Sequence, residues 1–274
     1  MRIAYNNFSD RNTILSSSTA ITNYPVTNLQ DNRLSQTYRT ATLTNAYIIV
    51  DLGTYSTVAT VIALINHNLT SSAVVTIDYN SINSFPGVTS QTVTYNSNMI
   101  LKFYNTTDIG HLLTEAGDNL TTETGDYLTT DYQYRYAKVS ITDSANPDGY
   151  IELGRLWIGD YLTVDPSSLL DFKVTKKRSD YVQYGRNRQK WASPGVGWRK
   201  FELNFPPTEE TLISELATMY DTIGNYKSLI FCNFDTIRDY VLVEPCYCGI
   251  NGDFTFNHTE RMKFIYSLNL EEDL

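Results

Sequence analysis

Tyr47-Ile48-Ile49-Val50-Asp51-Leu52-Gly53 reads as a β-strand and its stop. β-Branched side chains at Ile48 to Val50 suit a pleated surface, and Gly53 gives the chain freedom to turn. Just beyond it, Val58 to Ile65 is apolar apart from Thr60, long enough for a strand buried on both faces. Ala73-Val74-Val75-Thr76-Ile77-Asp78-Tyr79 and Tyr136-Ala137-Lys138-Val139-Ser140-Ile141 alternate with period two, and Ile151 to Ile158 ends the series. Short strands at such spacing predict a β-sandwich of jelly-roll type, with no helix longer than a turn or two.

Composition agrees. The 274 residues include 21 tyrosines and are rich in Ser, Thr and Asn, which fits sheets and turns and excludes a helical bundle, a coiled coil or a disordered tail. Thirty acids against 21 Lys and Arg give a net charge of −9 and a pI near 4.8, a poor match to a phosphate backbone. Nucleic acid is therefore not expected as the main partner. No apolar run approaches the roughly 18 residues of a membrane span. The opening Met1-Arg2-Ile3-Ala4-Tyr5-Asn6-Asn7 lacks the apolar core of a signal peptide. Three cysteines, Cys232, Cys246 and Cys248, cannot form a disulfide framework, so folding in a reducing cytoplasm is expected.

Charge divides the chain. Residues 1–160 carry 14 acids and eight bases, whereas residues 173–200 carry nine bases and the single acid Asp180. The turn-rich stretch from Gly159 to Ser168 lies between them, which places a jelly roll over 1–162 and a second domain over 163–274. The second domain reads as a small β-barrel or curled sheet with one packed helix. There Pro206-Pro207 is expected to stop the strand Trp198 to Phe205, with Thr208 capping a helix over about 208–223. Glu209 and Glu210 suit its first turn, and Leu212, Ile213, Leu216, Met219, Tyr220 and Ile223 fall on one face before Gly224. Strands are expected at Ser228 to Asn233, Tyr240 to Cys248 and Met262 to Leu270. Within the first domain, Leu-Thr, an acid and Gly-Asp recur every eight residues from Leu112 to Asp131. This reads as a projecting hairpin insertion over about 107–131; the glycines are too sparse for the nonapeptide calcium repeat.

Catalytic motifs are missing. His67, His111 and His258 are far apart, and His67 in Asn66-His67-Asn68 reads as a turn residue. There is no phosphate loop, no His-Glu-x-x-His and no Gly-x-Ser-x-Gly. Cys246-x-Cys248 with Cys232 reads as buried reduced thiols, because no fourth zinc ligand is close in sequence. Glu209-Glu210 reads as helix N-terminal charge. No catalytic, cofactor or metal site is assigned, and two carboxylates of a glycosidase in a β-sandwich would leave no local motif.

The strongest electrostatic feature is Lys173, Lys176-Lys177-Arg178, Arg186, Arg188, Lys190, Arg199 and Lys200, interleaved with Tyr181, Tyr184, Trp191 and Trp198. Stacking on single-stranded nucleic acid is one reading. A protein interface suits an acidic chain better, and it assigns Lys176, Lys177, Arg178, Arg186, Arg188 and Trp191 to an assembly surface.

Two resemblances follow. Asn23-Tyr24-Pro25-Val26-Thr27-Asn28-Leu29-Gln30-Asp31 through Tyr38-Arg39-Thr40, followed by Val50-Asp51-Leu52-Gly53, resembles the opening of a discoidin-type, galactose-binding-like jelly roll. Tyr38 stands where that family usually has Trp, and the resemblance implies the fold while carrying across no sugar-binding residue. The second domain resembles the small barrels of tailed-bacteriophage tail-tip proteins, distal tail and belt-forming proteins among them. That likeness lies in a basic hairpin from Phe172 to Lys190, the strand Arg199 to Phe205, one helix, and the closing run Phe264 to Glu272. It implies a non-enzymatic virion component assembled in the host cytoplasm. A ring of copies would contact neighbouring tube and hub proteins, with the jelly roll presented outward, in possible reach of host-surface glycan. The alternative is a glycan-binding module or a carbohydrate-active enzyme with a β-sandwich domain.

Overall fold

The computed structural model describes residues 1–11, 14–53, 59–86, 91–93, 99–103, 135–164, 171–184, 189–232, 245–260 and 263–273. The expected insertion at about 107–131 lies outside them. The protein is mainly β. It forms two compact units, Asn6–Tyr161 and Met1–Tyr5 with Leu162–Leu274. Strand β1 (Arg2–Asn7) thus begins in the second unit, a placement that composition does not show, and the helical turn α1 (Phe8–Arg11) follows it.

The first unit is a sandwich. One sheet runs β2-β4-β9-β6-β7, with β2 at Ile14–Ser17, β4 at Ala46–Asp51, β6 at Val74–Asn80, β7 at Gln91–Val93 and β9 at Tyr136–Thr142. The facing strands are β3 (Tyr38–Thr40), β5 (Val61–His67), β8 (Met99–Phe103) and β10 (Ile151–Thr163), ordered β3-β10-β5-β8. Alternation does the sorting: Ala46, Ile48 and Val50 of β4 and Ala137, Val139 and Ile141 of β9 face inward. They meet Ile62, Leu64, Ile151, Leu153, Leu156 and Ile158 in a single core. β5 is buried on both faces from Val61 to Ile65, as its unbroken apolar run predicts.

One feature differs from the expectation. β10 continues through Gly159-Asp160 to Thr163, so that stretch is strand and not turn. Gly159 is needed for packing, since a Cβ there would lie 2.0 Å from the Asn6 carbonyl oxygen. Tyr38, in the position where the related pattern has Trp, is buried, and its hydroxyl donates to the Ser18 carbonyl (3.1 Å).

The second unit is an antiparallel sheet ordered β11-β14-β18-β16-β15-β1. Its strands are β11 (Asp171–Arg178), β14 (Gly197–Glu209), β15 (Ser228–Cys232), β16 (Cys246–Ile250) and β18 (Lys263–Glu272), with β17 (Thr255–Glu260) also paired to β18. Two further strands, β12 (Tyr181–Tyr184) and β13 (Lys190–Ser193), pair with each other. Among the described residues the main sheet is open, not a closed barrel. β1 pairs with β15 at Arg2↔Cys232, Ile3↔Phe231 and Ala4↔Ile230, and the Met1 amino group donates to the Val164 carbonyl (2.9 Å).

Helix α2 (Glu210–Ile223) buries Ile213, Leu216, Met219 and Ile223 against the same core as Phe201, Leu203 and Phe205. It starts two residues later than expected, because the prolines do not end β14. Instead the β14–β18 register shifts between Phe205 and Thr208, and Thr208 pairs with Phe264. A strand meets two residues without N–H donors by slipping its ladder past them. Thr208 therefore sits in a strand rather than at a helix cap.

Candidate functional site

The polar and aromatic side chains of the sandwich converge where β3, β5 and β10 lie side by side. β3 buries Tyr38 and Thr40, so alternation turns Arg39 outward. Arg39 is registered opposite Glu152 of β10, and its Nε lies 2.7 Å from Glu152 Oε2. The Arg39 guanidinium carbon sits 3.9 Å from the centre of the Tyr24 ring and 4.9 Å from that of Tyr150. Burial by itself would lower the guanidinium pKa, but the Glu152 hydrogen bond and charge raise it, so the group is a fixed cation. Both rings and the ion pair are only partly buried.

Asn68 locks the adjoining strands. Its Nδ2 donates to Asp148 Oδ2 (2.9 Å) and to the Tyr150 carbonyl (3.0 Å), and its Oδ1 accepts the Glu152 N–H (2.8 Å). His67 does not lie in a turn but closes strand β5, registered opposite Leu153; its Nδ1 accepts the Leu69 N–H (3.2 Å), and Asn66 donates to the Leu34 carbonyl (2.8 Å). Beneath lies a supporting network in which buried Asp143 accepts the Thr70 N–H (2.8 Å) and hydroxyl (2.6 Å). The result is a patch that offers a guanidinium, a carboxylate and two aromatic rings, with the Asn68 amide committed to holding the strands behind them.

Sequence reading did not single out this patch. Tyr24 and Arg39 lie in the stretch that carries the jelly-roll resemblance, yet Asn68, Tyr150 and Glu152 have no local signature. Strand pairing alone brings residues so far apart together.

The residues that sequence did assign lie in the second unit, on an arm. Strand β11 pairs with β14 from Asp171↔Asn204 to Arg178↔Gly197, so the return limb is longer than the expected Phe172 to Lys190 hairpin. Lys176, Lys177 and Arg178 stand exposed near the end of this ladder. Beyond it β12 and β13 form a two-stranded ribbon from Tyr181↔Ser193 to Tyr184↔Lys190, on which Trp191 lies opposite Gln183. Arg186 and Arg188 lie outside the described residues.

A built kink separates the two ladders. Asp180 Oδ1 accepts the Gly195 N–H (2.7 Å) and meets Arg178 Nε (3.1 Å), while the Val196 N–H donates to Ser179 Oγ (3.1 Å). The Gly195 hydrogen bond, and then Arg178, hold the Asp180 carboxyl below the usual carboxylate range. A Cβ on Gly195 would lie 2.4 Å from the Ser179 carbonyl, so this approach requires glycine. At the root of the arm, Arg199 is bound by Glu272 (2.6 Å) and Lys200 by Glu271 (2.5 Å).

The three thiols are buried and form no disulfide. Phe231 is registered opposite Cys246, so Cys232 points to the other side of the sheet from Cys246 and Cys248, and the three cannot share a metal. Among the described residues no cluster of His, Cys, Asp and Glu is arranged to hold a metal ion. No described helix is long and apolar enough to cross a membrane.

No protein-family model matches the chain, and no curated protein matches it. Solved structures do. A mutant of the lectin-binding domain of lectinolysin, complexed with Lewis b, is 13% identical over 59% of this chain and 99% of its own, with a TM-score of 0.38. A family 32 carbohydrate-binding module from C. perfringens NanJ, in complex with galactose, is 13% identical over 59% of this chain and 100% of its own, at 0.32. A fucolectin from striped bass (Morone saxatilis) serum is 12% identical over 98% of this chain and 99% of its own, at 0.33. SpGH29 also matches, at 12% identity and a TM-score of 0.37, and the chain spans 28% of its length. Structural neighbours are thus lectin and carbohydrate-binding domains. The sandwich architecture itself rests on the strand pairing described above.

Proposed function

We propose that the sandwich unit is a glycan-binding module and that the protein acts by binding rather than by catalysis. One observation carries the reading: an Arg39 guanidinium stacked against Tyr24 and Tyr150, ion-paired to Glu152, with Asn68 fixing the backbone beside it. A pyranose presents apolar C–H faces and paired hydroxyls at its edge. Tyrosine rings suit the faces, and planar guanidinium and carboxylate groups suit the hydroxyl pairs. The patch is pre-organised by strand pairing, so little ordering opposes binding. A glycan array probed with the full chain tests the reading. Binding by the wild type that is lost in Tyr24→Ala/Tyr150→Ala supports it; wild-type silence on a broad array refutes it.

The arm favours a second, compatible reading, in which the protein is a structural component of a phage tail tip and its second unit assembles a ring. Tyr181, Tyr184 and Trp191 are 64%, 67% and 63% exposed on a two-stranded ribbon whose described residues all face solvent. An isolated two-stranded ribbon is marginal in water, and exposed aromatics on it call for a covering surface. Ring display would also multiply weak glycan contacts by avidity. Co-purification with virions and light scattering of the pure chain test this reading.

A further inference from the structure

We propose that the arm of one copy docks on the solvent face of α2 in a second copy, a contact that rests on the assembly reading above. The arm is built for an anionic surface. Residues 173–200 carry a net charge of +8, so with −9 on the whole chain the remaining residues carry −17. Lys176 lies directly opposite Arg199 across the ladder, which sets two like charges side by side. Glu272 binds Arg199 from the sheet side (2.6 Å), whereas Lys176 and Lys177 stand exposed.

α2 has the complementary character. Its 14 residues hold Glu210, Glu215 and Asp221 and no Lys or Arg, and all three acids are exposed, Glu210 and Asp221 opposite the buried face of Ile213, Leu216, Met219 and Ile223 and Glu215 at its flank. Lys227, past its end, donates to the Thr222 carbonyl (3.4 Å). The helix thus lacks the oppositely charged neighbours three and four residues apart that usually balance such a surface. Within one chain both features face solvent, so the partner that supplies one to the other is another copy. Two different patches meeting head to tail generate a ring when the rotation closes. The aromatics of the ribbon add apolar area, and the kink at Asp180 and Gly195 sets the direction in which they are presented. A phosphate polymer is a poorer occupant, since the −17 of the remaining surface repels it.

Sedimentation velocity of the full chain at micromolar concentrations, in low and high salt, tests the contact. The wild type should associate, and less so in high salt. Lys176→Glu/Lys177→Glu/Lys190→Glu should weaken association about tenfold or more while leaving the thermal transition unchanged. Arg178 is kept, because it holds Asp180. Glu215→Lys/Asp221→Lys should do the same, Glu210 being kept because it favours the first turn of the helix, and both sets combined in one chain should restore association. Trp191→Ser/Tyr184→Ser, which alters no charge, should also weaken it. A wild type that stays monomeric overturns both this contact and the assembly reading. Association sensitive to the arm but not to α2 overturns the contact alone. Loss of salt-sensitive binding to a single-stranded DNA probe in the arm variant, with self-association unchanged, overturns it in favour of nucleic acid.

Discussion

Replacing Asp10 by Ala should destabilise the sandwich more than removing its cationic partner. Arg155, on β10, has a side chain 1% exposed, and its Nη2 lies 2.5 Å from Asp10 Oδ2. Asp10 also accepts Asn7 Nδ2 (2.9 Å), and Asn7 in turn accepts the Ile158 N–H (3.0 Å), so the carboxylate is part of the lock on β10. Removing one member of a buried pair costs about 3–5 kcal/mol, because a charge is left desolvated. Asp10 is 29% exposed, and water can partly replace it, which puts Asp10→Ala near the lower end, about 3 kcal/mol. For a unit of this size that corresponds to a fall in Tm of roughly 6–12 °C. Arg155→Met removes the buried charge itself, and should cost only about 1 kcal/mol. Urea unfolding followed by fluorescence of Trp157, which is buried in the same unit, reads the difference. The reasoning fails if Asp10→Ala costs under about 1 kcal/mol, or if Arg155→Met costs as much as Asp10→Ala.

Gly159→Ala should unfold or strongly destabilise the sandwich, since its Cβ would meet the Asn6 carbonyl at 2.0 Å; thermal melting and soluble yield report it. Gly195→Ala, by contrast, should leave melting of the second unit nearly unchanged while altering hydrogen exchange across residues 178–197, because it strikes only the kink. The Arg135 fork holds the Asp51 carboxyl below the ordinary range, so the stability it contributes is present above the unfolded carboxylate pKa and is lost as pH falls through the folded value. Asp51→Asn should therefore flatten the acid limb of stability against pH, with wild type and variant converging at the acid end. Burial pushes the Cys248 thiol well up, and all three thiols are buried, so Ellman's reagent should modify them in urea and scarcely at all in the native chain.

The sandwich was legible because period-two alternation is local. Ile48, Val50, Val139 and Ile141 announce their inward face whatever they pair with. The second-unit helix was legible for the same reason. What sequence could not show depends on pairing over long separations. β1 joins β15 across more than 220 residues, and nothing in Met1 to Tyr5 records that partner. The prolines after Phe205 argued for a strand end, but a register shift absorbed them. The Arg39 patch stayed hidden because Tyr24, Asn68, Tyr150 and Glu152 become neighbours only when β3, β5 and β10 align. The basic arm was visible as composition, whereas its kink depends on a side chain, Asp180, accepting a backbone N–H fifteen residues away.

Calorimetric titration of a glycan that the array selects, against wild type and Arg39→Ala, tests the proposed function most directly. Arg39 lies on the surface, and circular dichroism would show that the variant keeps its fold. Saturable binding by the wild type that falls about tenfold or more in the variant is the expected result, since the charge-assisted hydrogen-bond donor and the cation that orders both rings would be lost together. Equal affinity for the two proteins would contradict the assignment of this patch and move the binding site elsewhere.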